Sequence, residues 1–192
     1  MPKSNSSHLG LACFLDVETT GLSPYKDEIV ELALCLFEFR RDSGEITQIV
    51  DQYVGLRDPG KPIPPNVSNI HGIKDEDVKG RHLDDEAIRA MVHRAEFMVA
   101  HNARFDRDFV CRLYDECSQK PWLCSMSDIS WGKKGFRSRA LQNLLRDHKI
   151  KVDKAHRADH DVKASLRLLA HAGENGKTYF GELLEKLNLN RV

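Results

Sequence analysis

The apolar pattern begins at Leu9, where LGLACFLDV places hydrophobic side chains at nearly every position and predicts a buried strand over Leu9 to Val17. A second run, Glu28 to Arg40, is rich in Ile, Val, Leu and Phe, and Asp42-Ser43-Gly44 beyond it has turn chemistry. Ile46 to Leu56 then predicts a third strand, joined to the second as a hairpin or meander. Pro59, Pro62, Pro64 and Pro65 mark an irregular surface crossing before a short helical turn at Val67 to His71. Asp84 to Arg94 has helical spacing with acids in its first turn, which suits the helix dipole. Phe97 to Ala100 is a compact strand, and Phe105, Phe109 and Leu113 recur at helical spacing directly after it. Trp122 to Ser125 predicts a short strand, and Leu141, Leu144 and Leu145 another helix. Val162, Leu166 and Leu169 fall at i, i+4 and i+7 of a further one, and Tyr179 to Leu189 is an amphipathic terminal helix.

Three strands followed by alternating helices and strands predict an α/β fold, a mixed central sheet with helices on its faces. The length of 192 residues suits one domain rather than two, read here as residues 9–192 behind a flexible tail over residues 1–8. No internal repeat or low-complexity linker interrupts it. An apolar fraction of 41% against 30% charged residues excludes fibrous and wholly disordered classes. Without an apolar run of membrane-spanning length, or a convincing secretory signal before Asp16, the expectation is a cytoplasmic protein with no membrane partner. Five cysteines with no C-x-x-C pair argue against both a disulfide framework and a zinc site.

Charge balances overall, 29 basic residues against 29 acidic, so bulk charge does not point to a polyanion. Its distribution does. Ser130 to Arg167 holds eleven basic residues and four acids, a net of +7 that the rest of the chain offsets. Such a segment steers a polyanion to one face, or it is a lysine-rich solvated surface. On the first reading, Lys133 and Lys134 are expected to hold a nucleic-acid strand.

Chemistry concentrates in three stretches. In FLDVETTGL, Asp16 and Glu18 are two apart and project to one side of a strand, where burial requires a cation; Mg²⁺ commonly takes one or two such carboxylates. An exposed strand end is the other reading. Thr19, Thr20 and Gly21 follow, and the glycine permits a tight turn with close approach of a ligand to backbone. In VAHNARFDRDF a strand ends in His101-Asn102 and a helix starts at once, with Asp106 in its first turn as either a site acid or a helix-dipole partner. In HRADHDV, His156 precedes a helix on which Asp161 points to one side; Asp159 suits a cap, and a surface histidine is the plain reading of His156.

Taken together, the three stretches resemble the DnaQ-like exonucleases of the DEDDh type, within the RNase H-like superfamily and similar to the exonuclease domains of bacterial DNA polymerase III epsilon type. D-x-E-T-T-G-L matches the first motif, H-N-A-x-F-D the second and H-R-A-x-x-D the third, in order and at matching spacing. Asn69-Ile70-His71-Gly72-Ile73 resembles a further signature. The likeness covers about residues 9 to 172. It implies an RNase H-like mixed β-sheet flanked by α-helices and 3′→5′ hydrolysis of phosphodiester bonds with two divalent metals, Mg²⁺ or Mn²⁺. Carried over by position, Asp16, Glu18, Asp106 and Asp161 are the metal-binding acids and His156 the general base, with Asp159 and His160 as additions inside the third motif. Thr19, Leu22, Ile70, His71, His101, Asn102 and Phe105 match positions around the 3′-terminal nucleotide. The implied substrate is the 3′ end of DNA, single strands above all, with release of nucleoside 5′-monophosphates. RNA trimming is the alternative, and a non-catalytic nucleic-acid-binding module is a third reading. A DNA polymerase or repair protein is the kind of partner such a domain takes; oligomeric state is not legible.

Overall fold

The structure, a computed structural model, describes residues 8–151, 156–173 and 176–189. The tail expected over residues 1–8 therefore falls, apart from His8, outside the described residues. Five strands form one sheet: β1 (Leu9–Thr19), β2 (Ile29–Arg40), β3 (Ile46–Leu56), β4 (Phe97–Ala100) and β5 (Trp122–Cys124). Their order is β3-β2-β1-β4-β5, with β2 antiparallel to both β1 and β3, and β4 and β5 running parallel to β1. The expected mixed sheet is present.

β1 lies at the centre, which explains its almost unbroken apolar run: both of its faces are covered. Ala12 and Phe14 join Ala33, Cys35, Phe37 and Phe39 of β2 beneath α5 (Leu141–Asp147), α6 (Ala158–Leu169) and α7 (Tyr179–Leu189). Cys13, Leu15 and Val17 join Leu32, Leu34 and Leu36 on the opposite face, beneath α3 (Asp85–Arg94) and α4 (Ala103–Val110). Helices thus flank the sheet on both sides. None of the described helices is long and apolar enough to cross a membrane.

The expected helical turn is α1 (Pro65–His71), with Pro65 in its first turn where a missing N–H costs nothing. Unanticipated is α2 (Asp75–Val78), one turn whose opening amide, Lys74 N–H, donates to the Asp77 carboxylate at 2.9 Å. α4 stops at Val110 rather than reaching Leu113. The amides of Arg112 and Leu113 bond back only three residues, to Phe109 and Val110, and tighten the chain into a turn while Leu113 still packs on the core.

Two features of this topology place the chemistry. β4 pairs with β1 in parallel, Phe14 opposite Val99, so the carboxyl ends of both strands come out side by side. After β3 the chain also crosses to the other side of β1, making the β1/β4 boundary the place where the sheet reverses its winding, the usual location of a ligand crevice in open α/β sheets.

Candidate active site

A cleft of about 430 Å³ opens at that boundary. Its walls include Asp16, Val17, Glu18 and Leu22 from β1 and the loop after it, and His101, Asn102, Phe105 and Asp106 from β4 into α4. Ala140, Leu141 and Gln142 at the start of α5 and His156 and Asp161 at the start of α6 complete it. Four acids from three distant stretches of the chain therefore face one space. Alternation along β1 puts Asp16 and Glu18 on the α6 side of the sheet, in line with Phe14. Asp106 reaches in from the other side, its carboxylate accepting the Val17 N–H at 3.2 Å. Asp161 accepts from the Gln142 side-chain amide at 3.0 Å and from the His156 N–H at 3.1 Å. Ligand atoms of Glu18, His156 and Asp161 lie within 4.8 Å of one another.

The electrostatics of this cluster are unfavourable without a cation. Burial, followed by repulsion from Asp106 and Glu18, raises the Asp16 carboxyl well above its ordinary range. Burial and then the charge of Asp161 push Glu18 up to about 8, while burial pushes Asp106 up to about 7. Asp161 is raised by burial too, despite the histidine and hydrogen bonds around it. An all-oxygen cluster with one imidazole at its rim is a donor set that fits a hard divalent ion, which would restore the ionised forms.

Thr19, Ile70 and His71 do not line the cleft. The buried Thr19 hydroxyl donates to the Gly21 carbonyl at 2.6 Å and shapes the loop leaving β1. His71 is buried under that loop, its Nδ1 accepting the Ile73 N–H at 3.0 Å, whereas its neighbour Ile70 is 57% exposed. His101 is spoken for as well: Nδ1 meets the Ser125 hydroxyl at 2.8 Å and Nε2 the Arg139 carbonyl at 2.9 Å. It ties the loop before α5 to the end of β4.

The loop after β1 is braced throughout. Thr20 and the Ser23 N–H bond to the Asp27 carboxylate at 3.2 and 2.9 Å, and Arg112 donates to the Pro24 and Asp27 carbonyls. Glycine at 21 suits this packing, because a Cβ there would lie 2.5 Å from the Asp27 carboxylate. The brace holds Leu22 and Tyr25 in solvent, 84% and 90% exposed. Lys134, read from sequence as a strand contact, is instead drawn to Glu182 at 2.5 Å and lies over the Tyr179 ring. Arg137 and Arg139 are exposed beside the cleft wall at Ala140.

Sequence reasoning did not single out Gln142 for the site, nor Glu31 and Arg157, which pair behind the cleft. Gln142 is in the first turn of a short helix, and only the approach of α5 to α6 reveals its contact with Asp161.

A cleft lined by four acids on this sheet has the make-up of a nuclease site, and the match to a family model agrees: residues 13–169 correspond to the exonuclease family, and the chain belongs to it. A PolC-type DNA polymerase III from Listeria welshimeri is 31% identical over 85% of this chain, which spans only 12% of that polymerase. The DNA polymerase III epsilon subunit of Treponema pallidum is 29% identical over 88% of this chain and 81% of its own length. The 3′-5′ exonuclease DinG of Bacillus subtilis is 30% identical over 90% of this chain and 17% of that protein. Among solved structures, the zinc-bound complex of E. coli exonuclease I with single-stranded DNA shares the fold, with a TM-score of 0.66 at 18% identity over 84% of this chain and 40% of that one.

Proposed function

We propose that this chain is a metal-dependent 3′→5′ exonuclease that hydrolyses DNA from its 3′ end, prefers single strands and releases nucleoside 5′-monophosphates. The observation that carries the reading is the meeting of Asp16, Glu18, Asp106 and Asp161, from β1, α4 and α6, in one cleft with His156 at its edge. The names of the relatives, DNA polymerases and a 3′-5′ exonuclease, support DNA as substrate. They also support a cytoplasmic setting beside a polymerase or repair protein.

Asp16, Glu18 and Asp161 would hold one divalent ion and Asp16 with Asp106 a second, Mg²⁺ or Mn²⁺ in the cell. When bound, such a pair supplies the charge that activates a water and stabilises the leaving oxygen of an in-line displacement. The protein's own part is positional. The Gln142 amide and the His156 N–H each engage one oxygen of Asp161 and fix its plane. The His156 imidazole lies at the rim, near Glu18 and Asp161, and takes the proton of the attacking water. Exposed Leu22 on its braced loop offers an apolar surface to the unpaired terminal base, a contact that every base tolerates.

The test is a gel assay with 5′-labelled DNA and RNA, in Mg²⁺ and in excess EDTA. A descending ladder on single-stranded DNA, abolished by EDTA and lowered by roughly two orders of magnitude or more in Asp16→Ala, is the expected result. Comparable cutting of a circular single strand, or activity that survives chelation, would overturn the reading.

A further inference from the structure

We propose that Glu31 is a positioning residue for the reaction: through Arg157 and the Ala158 amide it holds the His156–Asp161 segment so that the His156 imidazole stands over the acids. The inference rests on the exonuclease reading, in which that imidazole has work to do.

Glu31 is completely buried and does not line the cleft. It sits on β2 directly opposite Glu18 of β1, so both side chains leave the sheet on the same face. Its carboxylate accepts the Arg157 Nε at 3.0 and 3.1 Å and the Ala158 N–H at 2.8 Å. Arg157 is the N-cap of α6 and has no capping side chain of its own. A carboxylate from the neighbouring strand therefore satisfies one of the open amides at the start of that helix.

The residue just before this anchor is in an unusual state. His156 has φ of +58°, a left-handed conformation that side chains with a Cβ rarely adopt. Such a backbone persists where the surroundings over-determine it, and functional sites are where it collects. Here the determinants are visible. The His156 N–H is held by Asp161, the Arg157 guanidinium by Glu31 and the Ala158 N–H again by Glu31, so three successive residues are pinned. A buried ion pair adds little net stability compared with apolar packing of the same volume, so stability is a weak reason for an acid at this position. Geometry is a stronger one.

The experiment compares Glu31→Gln, Arg157→Lys and the double variant with wild type, on single-stranded DNA with a free 3′ end in Mg²⁺. The His156 ring resonances of each protein are recorded in its metal-free form. Gln keeps the size of Glu31, and Lys keeps the charge of Arg157 without its two-pronged fork. We expect kcat to fall roughly tenfold or more in each single variant with KM within about twofold, and the double variant to be little worse than the poorer single. The His156 resonances should shift or broaden in each variant. A folded Glu31→Gln protein with wild-type kcat and an unchanged His156 resonance overturns the proposal. So does a loss fully explained by a smaller folded fraction, or losses that multiply in the double variant. If Glu31→Gln does not fold, Arg157→Lys decides by the same readouts. A wild-type protein that makes no ladder refutes the exonuclease reading instead, and the resonances then still decide whether the clamp holds His156.

Discussion

Crowding of carboxylates ties the stability of the metal-free protein to pH. Asp16, Glu18, Asp106 and Asp161 all have raised folded-state proton affinities, Glu18 to about 8 and Asp106 to about 7. Between the ordinary carboxylate range and those values the folded state binds more protons than the unfolded one, so stability falls as pH rises through that window. Thermal melts in EDTA should accordingly give a higher Tm near pH 5 than near pH 8.5, and saturating Mg²⁺ should recover most of the difference at the higher pH. A Tm in EDTA that is flat or rises with pH would contradict this charge balance. The two histidines of the third motif can be separated in the same way. His156 lines the cleft, while His160 is half-buried and turned to Asp159 at 3.6 Å. His156→Gln should lower kcat by roughly a hundredfold, and His160→Gln should retain most of it in single-turnover measurements. At this scale the acids and His156 were legible only together: each stretch alone had a plain reading, and three motifs in order carried the resemblance that joined them. Gln142, Glu31 and Arg157 were not, since their meaning lies in what a distant element brings to them.

Strands and helices were largely legible because the hydrophobic periods are clean: β1, β2 and β3, β4, α3 and α7 all fall where alternation and helical spacing put them, within a residue or two. The exceptions, α2 and the early end of α4, are set by local hydrogen bonds that a hydrophobic pattern does not register. The seat of α7 was equally invisible. Phe180 is fully buried, 5.1 Å from the rings of both Phe37 and Phe39, and the helix comes in so closely that Gly44 meets Gly181. Gly44 is left-handed at φ +71°, and a Cβ on it would lie 2.3 Å from the Gly181 Cα. Gly44→Ala should therefore lower stability by about 1–3 kcal/mol in denaturant titrations. An unchanged midpoint would mean that α7 shifts freely to make room.

Over the whole molecule, charge is sorted rather than scattered. The basic segment wraps toward the cleft through Arg139, whose carbonyl His101 holds, but its lysines are not equivalent. Arg137→Ala with Arg139→Ala should weaken DNA binding and reduce the salt slope by about 2, leaving saturated turnover nearly unchanged. Lys134→Ala should act on the packing of α7 through Glu182 instead, lowering Tm with little effect on that slope. A salt slope unaltered by the arginine pair would return the segment to the solvated-surface reading.

The parallel pairing of β4 with β1 has a consequence in time. Asp106 reaches the Val17 amide across 89 positions of chain, and Arg157 reaches Glu31 across 126. Closing such loops is slow and comes after local hairpins such as β1–β2–β3 have formed. The β1 acids are thus in place early, but their partners arrive only with contacts made across much of the chain. A ribosome-bound chain that has not yet delivered α6 holds Asp16 and Glu18 without Asp161 or His156, so the cluster of acids stays incomplete until most of the domain has been made.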